Sequence, residues 1–187
     1  RAQPAAMMLV AIRSTLFAAF QLLITPVFAI IALLTFPLPA QTRYRIITVW
    51  TRWVMWASRV ICGIRYRVQG MEHLPTAADA KSAVLLASKH QSTWETFAYP
   101  GLMPHPLAYV FKRELLYIPF FGWAMARMDM IHIDRSRRSE AWRKVAADGR
   151  RLSAQGVWVI MFPEGTRIDR GQQGVYKTGA SRLAIDA

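Results

Sequence analysis

The pattern of apolar and polar positions divides the chain into three stretches. Ser14–Leu38 contains no charged residue and consists mostly of Leu, Ile, Phe, Ala and Val. About 20 such residues cross the hydrocarbon of a bilayer, so the run is long enough. Pro26 divides it, and the pattern allows a kinked span or a re-entrant helical hairpin that does not cross. A cleaved signal peptide, with Leu38-Pro39-Ala40 as a poor cleavage site, ranks last because the apolar run is long for a signal core. In Arg43–Ile64 the pattern changes. Trp50, Trp53 and Trp56 share broadly one side of a helix, and Arg45, Arg52 and Arg59 recur every seven residues. This predicts a helix lying in the membrane interface, with rings at headgroup depth and guanidiniums toward phosphates. A core helix with snorkelling arginines is the plainer alternative.

From Ile64 the period shortens. Ile64, Tyr66 and Val68 alternate with polar residues as in a strand, and Gly70 and Pro75 punctuate. Apolar runs at 83–88, 107–111, 130–134 and 157–162 predict four more strands. Helical stretches lie between them, the clearest being Arg137–Gln155, ended by Gly156. Alternation of this kind predicts an α/β fold, with a largely parallel sheet covered by helices and preceded by an N-terminal membrane-associated helical segment. Residues 1–62 are expected to be membrane-anchoring helices and residues 63–187 an α/β domain, truncated at its C-terminal end.

Composition agrees with a membrane partner. Hydrophobic residues make up 53% of the 187, with 7 Trp and 9 Phe, and the formal net charge is +13. Eight arginines and no acidic residue precede Glu72, whereas the rest sets 16 basic against 11 acidic side chains. A basic chain invites a nucleic-acid reading. Here the excess charge flanks the most apolar segment, which fits an anionic membrane surface better. If Ser14–Leu38 spans, the arginines after it place the remainder in the cytoplasm, at a bacterial-type inner membrane or another membrane. The single cysteine, Cys62, excludes an intramolecular disulfide framework.

Three stretches carry candidate chemistry. In Ser88–Thr96, SKHQSTWET, Ser92 and Glu95 have the spacing of a helix capping box. His90 then falls at the carboxyl end of a strand, the edge where open α/β sheets bind ligands. A histidine can take a proton from a hydroxyl while a carboxylate fixes its tautomer and stabilises the cation formed. Taken alone, the pair fits a cap as well as a catalyst. In Phe162–Arg167, FPEGTR, Gly165 permits close approach of backbone to ligand and Arg167 can grip a phosphate with two donors. In the block 111–135, Lys112, Arg113 and Arg135 lie near predicted strand ends. Phe120, Phe121, Trp123 and Met125 there can line an acyl path or simply fill a core. His73, His105 and His132 are scattered without metal-ligand spacing, so neither metal nor other cofactor is expected.

HQSTWE, the block KREL…PFFGW…IDR and FPEGTR, in that order, resemble the glycerolipid acyltransferase family over about Tyr66–Asp186. The resemblance implies transfer of a fatty acyl group from acyl-CoA or acyl-carrier protein to the sn-2 hydroxyl of lysophosphatidate, giving phosphatidate. It implies His90 and Glu95 as the catalytic pair, and substrate-phosphate contacts at Lys112, Arg135, Glu164, Gly165, Thr166 and Arg167. The chain departs from the family pattern in having Glu95 where aspartate is usual and Ile168 where serine commonly follows. The later valine-proline strand motif is absent. Other acceptors, glycerol 3-phosphate or another lysophospholipid, would suit the same motifs. A lipid hydrolase using Ser92 is opposed by the lack of a G-x-S-x-G elbow. A noncatalytic membrane-binding module would leave all three motifs unused.

Overall fold

A computed structural model describes residues 4–75 and 84–186. Ten principal elements follow one another: α1 (Pro4–Leu34), α2 (Ala40–Cys62), β1 (Leu85–Ala87), α3 (Trp94–Leu102), β2 (Leu107–Lys112), α4 (Phe121–Arg127), β3 (Ile131–Ile133), α5 (Arg138–Ala154), β4 (Trp158–Met161) and α6 (Gly179–Asp186). The four strands form one sheet in the order β1-β4-β2-β3. Every pairing is parallel. All strand carboxyl ends therefore point to one edge. The four strand predictions from 83–88 onward are met, residue 83 itself lying outside the described residues.

Why these runs become strands is visible in their two faces. Leu107 and Tyr109 of β2 join Trp158 and Ile160 of β4 in a buried layer beneath Tyr44, Tyr99 and Met103. The alternate residues Ala108 and Val159 join Ile131 on the other face, packed by Val145 and Leu152 of α5 and Leu183 of α6. A sheet covered on both sides needs apolar residues at every position, so its strands read as continuous runs rather than alternating ones.

Ile64, Tyr66 and Val68 do alternate, yet they form no strand: 63–70 lacks regular structure and all three side chains are exposed. Alternation prescribes an extended backbone, but a strand also needs a partner, and none faces this segment among the described residues. Tyr66 instead packs on Trp94, with ring centroids 5.2 Å apart.

The N-terminal segment also departs from expectation. α1 runs unbroken through Pro26, so residues 14–34 do not fold back on themselves. Proline in a helix loses one backbone bond but need not end it. The hairpin is made by α1 and α2 together: Cys62 Sγ reaches Arg13 O at 3.9 Å, and Phe20 packs on Trp56 at 6.5 Å. α1 has a mean hydropathy of 2.4 over its best window, long and apolar enough to cross a membrane, and only 11% of that window is buried. This exposed apolar helix marks the chain as membrane-associated.

The tryptophans of α2 do not share one environment. Trp53 and Trp56 are exposed and pack edge-to-face at 5.6 Å. Trp50 turns inward against Phe97 of α3 and Phe121 of α4, at 5.3 and 6.4 Å. Val54, Met55 and Ala57 are buried beside it. One side of α2 is therefore core and another side carries the exposed aromatic pair. The core reading holds for the inward side of this helix, and the exposed side is free for the interface proposed below.

Candidate active site

β1 ends at Ala87, and the loop after it carries His90 onto the carboxyl edge of the sheet. His90 Nδ1 lies 3.0 Å from Glu95 Oε1. Both side chains are mostly enclosed, 15% and 14% exposed. The ring is stacked on Phe162, centroids 4.1 Å apart and planes 20° from parallel. A stacked ring anchored at one nitrogen has little freedom left, so the other nitrogen is aimed by the fold.

Glu95 does more than meet His90. The same Oε1 accepts the amides of Gln91 at 2.6 Å and Ser92 at 2.8 Å, while Oε2 accepts the Ser92 hydroxyl. Ser92 Oγ in turn accepts the Trp94 amide at 3.1 Å, in the first turn of α3. The capping box expected from Ser92 and Glu95 and the catalytic pair expected from His90 and Glu95 use one and the same carboxylate. Burial by itself would raise the Glu95 carboxyl. Hydrogen bonds from the Ser92 hydroxyl and amide and from His90 outweigh that effect and hold it down at about 2. An ionised carboxylate can only accept, so Nδ1 carries a proton, and in the neutral ring Nε2 is the nitrogen left with a lone pair. That is the tautomer a general base requires. Residues five apart on one continuous helix would point away from each other; His90 and Glu95 meet because His90 precedes the helix and Glu95 lies in its first turn.

β4 ends at Met161, and Phe162–Arg167 turns beside the histidine loop. Glu164 is buried with a side-chain exposure of 0%. Its oxygens accept the His90 amide at 3.2 Å, the Gly174 amide at 3.3 Å and Lys89 Nζ at 3.3 Å. Burial would raise this carboxyl, but the His90 and Gly174 amides and Lys89 together lower it. Glu164, one of the residues expected to meet the substrate, faces inward here and fastens the His90 loop to the segment after β4. The Ile168 amide adds a second clasp, donating to His90 O at 2.8 Å.

Gly165 has φ +68°, a left-handed conformation. A side chain there would also collide, since a Cβ would lie 2.7 Å from Lys177 Nζ. The close approach its glycine permits is made by this chain's own lysine. Arg135 Nη1 donates to Gly165 O at 3.0 Å. Thr166 and Arg167 are exposed on the outer side of the turn. Lys112 is exposed at the last position of β2, paired in register with Ile133, while Arg113 is drawn to Asp134 at 3.6 Å. The structure therefore brings His90, Glu95, Arg135, Gly165, Thr166 and Arg167 around one turn, with Lys112 a strand away on the same edge.

Of the proposed acyl path, Phe121 packs into the α2 contact, whereas Phe120 and Trp123 are exposed and stack on each other at 5.1 Å. Lys89, Phe162 and Lys177 are the site residues that sequence reasoning did not assign. Lys89 and Phe162 sat inside the quoted motifs. Lys177, twelve residues beyond Gly165, carried no signal of its own.

Comparison with known proteins agrees with this geometry. Residues 65–187 match the acyltransferase family. A 1-acyl-sn-glycerol-3-phosphate acyltransferase of Pseudomonas aeruginosa is 48% identical over 151 residues, covering 80% of this chain and 56% of that protein. The human 1-acyl-sn-glycerol-3-phosphate acyltransferase alpha is 33% identical over 129 residues, covering 69% of this chain and 44% of that protein. The chain thus spans about half the length of the curated relatives it matches. The crystal structure of the 1-acyl-sn-glycerophosphate acyltransferase of Thermotoga maritima superposes with a TM-score of 0.66 at 19% identity, covering 92% of this chain and 68% of that one. That likeness confirms the fold.

Proposed function

The chain belongs to the acyltransferase family, and from that premise we propose that it transfers a fatty acyl group from an acyl thioester to the sn-2 hydroxyl of lysophosphatidate. The donor is acyl-CoA or acyl-carrier protein, and the product is phosphatidate. The His90–Glu95 pair carries this reading: an imidazole anchored through Nδ1 on the carboxyl edge of the sheet, beside a turn rich in cations.

In this mechanism Nε2 of His90 takes the proton of the sn-2 hydroxyl as its oxygen attacks the thioester carbonyl. The tetrahedral intermediate collapses, the carbon–sulfur bond breaks, and the proton passes from His90 to the departing thiolate. Glu95 remains ionised throughout and stabilises the imidazolium that forms. Arg135 and Arg167 hold the acceptor's phosphate, with Lys112 nearby, so that the hydroxyl rather than the phosphate meets His90. Ser92 spends its hydroxyl on Glu95 and Trp94 and serves as a cap, not a nucleophile.

The hairpin delivers this site to its substrate. α2 packs on α3 and keeps Arg45, Arg52 and Arg59 exposed. With α1 antiparallel along α2, crossing the bilayer would carry those arginines into hydrocarbon, which costs several kcal/mol. The hairpin therefore lies along the surface with α1 immersed, and the catalytic edge works on the cytoplasmic face, where anionic lipid attracts the arginines.

Acyl transfer measured in detergent, with lysophosphatidate, glycerol 3-phosphate and a lysophosphatidylcholine as acceptors and both donor classes, tests the proposal. Preference for lysophosphatidate is expected. Transfer to glycerol 3-phosphate alone, or thioester hydrolysis with no acceptor dependence, would overturn it.

A further inference from the structure

A second concave region lies at the opposite end of the sheet from His90. A cavity of about 430 Å³ opens where the first turn of α2 meets the starts of β2, β3 and β4, with Arg43, Leu107, Arg127 and Met130 on its walls. Beside it an apolar groove of about 310 Å³ runs between α1 and α4, lined by Leu33, Trp123, Ala126 and Arg127. Arg127 lines both, so a cationic cavity and an apolar groove meet at one side chain.

The charges here are only partly spent. Among the described residues no carboxylate comes within salt-bridge distance of Arg43 or Arg127, though Arg43 lies near enough to Asp129 to help lower its carboxyl. Asp129, on the cavity wall, is held by Arg151 through two hydrogen bonds of 2.9 and 2.7 Å. Both free guanidiniums lie over the ring of Phe36, at 5.7 Å for Arg43 and 4.3 Å for Arg127. Arg43 Nε is buried with no hydrogen-bond partner. A buried donor without an acceptor is costly and calls for one. The first turn of α2 contains no acidic residue, and Pro39 before it offers no side-chain cap, so the positive end of a 23-residue helix adds to the same field.

A free anion would satisfy the cavity but leave the groove idle. The groove leads along α1, whose outer face exposes Leu22, Leu23 and Leu34. We propose that cavity and groove together form a second lipid site, remote from the catalytic edge, which takes the phosphate of an anionic membrane phospholipid against Arg43 and Arg127. One acyl chain lies along Leu33, Trp123 and Ala126. The site holds the root of the hairpin to the bilayer in a fixed orientation, and it stands whether or not the acyl-transfer reading does.

Thermal unfolding of the chain in an uncharged detergent, with phosphatidylglycerol, phosphatidylcholine or inorganic phosphate added, tests this. Phosphatidylglycerol is expected to raise Tm saturably, and phosphatidylcholine less so. In R43Q/R127Q the lipid needed for half the shift should rise about tenfold or more, since each basic group near a lipid headgroup contributes roughly 1 kcal/mol. A126F fills the groove without touching a charge and should abolish the shift, which keeps the test decisive if the double variant fails to fold. R143Q/R150Q removes two exposed arginines of α5, away from the hairpin, and should leave the shift intact. A full shift in A126F or R43Q/R127Q, an equal loss in R143Q/R150Q, or an equal Tm rise with inorganic phosphate alone would each overturn the proposal.

Discussion

The two ends of the sheet handle charge in opposite ways. At the carboxyl edge, Glu95 accepts from His90, Gln91 and Ser92, and Glu164 accepts from Lys89, His90 and Gly174. The acids there are saturated by internal donors, and what remains open is an imidazole nitrogen and the exposed cations Lys112, Arg135 and Arg167. At the other edge a guanidinium donor is buried with no acceptor among the described residues. A saturated network is rigid and sets one group at one angle, which suits proton transfer. An unsaturated cluster has its charge free for an outside anion, which suits binding. On the two readings proposed above, catalysis and anchorage are separated along the strand direction.

The largest break in this contrast is expected from His90→Ala. A positioned base contributes roughly 10²–10⁴-fold, so kcat should fall by that factor while vesicle binding and the circular dichroism spectrum stay unchanged. Turnover within about threefold of the parent chain would remove His90 from the mechanism.

Glu95→Gln sharpens the point, because the carboxylate serves both cap and base. Glutamine retains an acceptor oxygen for the Ser92 amide, so the chain should still fold, while at neutral pH it loses the stability that the ionised carboxylate contributes. It lacks the charge that stabilises imidazolium, so kcat should fall clearly, though less than for His90→Ala. Ser92→Ala should show the reverse split: a stability loss of about 1 kcal/mol by chemical denaturation and near-normal kcat.

Arg167→Lys separates phosphate recognition from chemistry. Lysine keeps the charge but loses the planar fork. The acceptor KM should rise several-fold with donor KM unaffected, and steady-state kinetics varying each substrate in turn will show whether it does.

Smaller effects concern the turn and its pH range. Gly165→Ala places a Cβ in a left-handed backbone, at a cost of about 1–2 kcal/mol, and displaces Lys177; a lowered denaturation midpoint is expected. For Glu95 the folded carboxyl sits at about 2 against an ordinary 4.5. The unfolded state therefore binds the proton more readily. The stability that Glu95 contributes is complete above about pH 4.5 and is lost as pH falls toward about 2. In Glu95→Gln the acid limb of a stability–pH profile should flatten over that window.

Much of this was readable along the chain. The runs at 107–111 and 158–161 are apolar at every position because both faces of the sheet are covered, and such runs stand out in a linear sequence. HQSTWE and FPEGTR were legible as candidate sites because histidine, carboxylate, glycine and arginine sit close together within each motif. Three things were hidden. Glu164 looked like a ligand contact, and only burial shows that it fastens the histidine loop. Trp50, Trp53 and Trp56 share a helical face by spacing, but α3 and α4 reach only Trp50. Lys177 is brought to Gly165 by a hydrogen bond from its own amide to Pro163 O at 2.9 Å, a contact between segments with no common pattern.

By itself the sequence determined the element types, the apolar helix, the excess of positive charge at the N-terminus and the chemical groups available at each strand end. These depend on local periodicity and residue type, which act within a few positions. The tertiary structure alone decided which groups meet: that one carboxylate both caps α3 and holds His90, that Glu164 faces inward, that α1 stays whole and pairs with α2, and that Arg43 and Arg127 share Phe36. Each of these depends on parallel strands bringing distant segments to a common edge, and on packing that selects one side of a helix over another. Neither leaves a mark in the order of the residues.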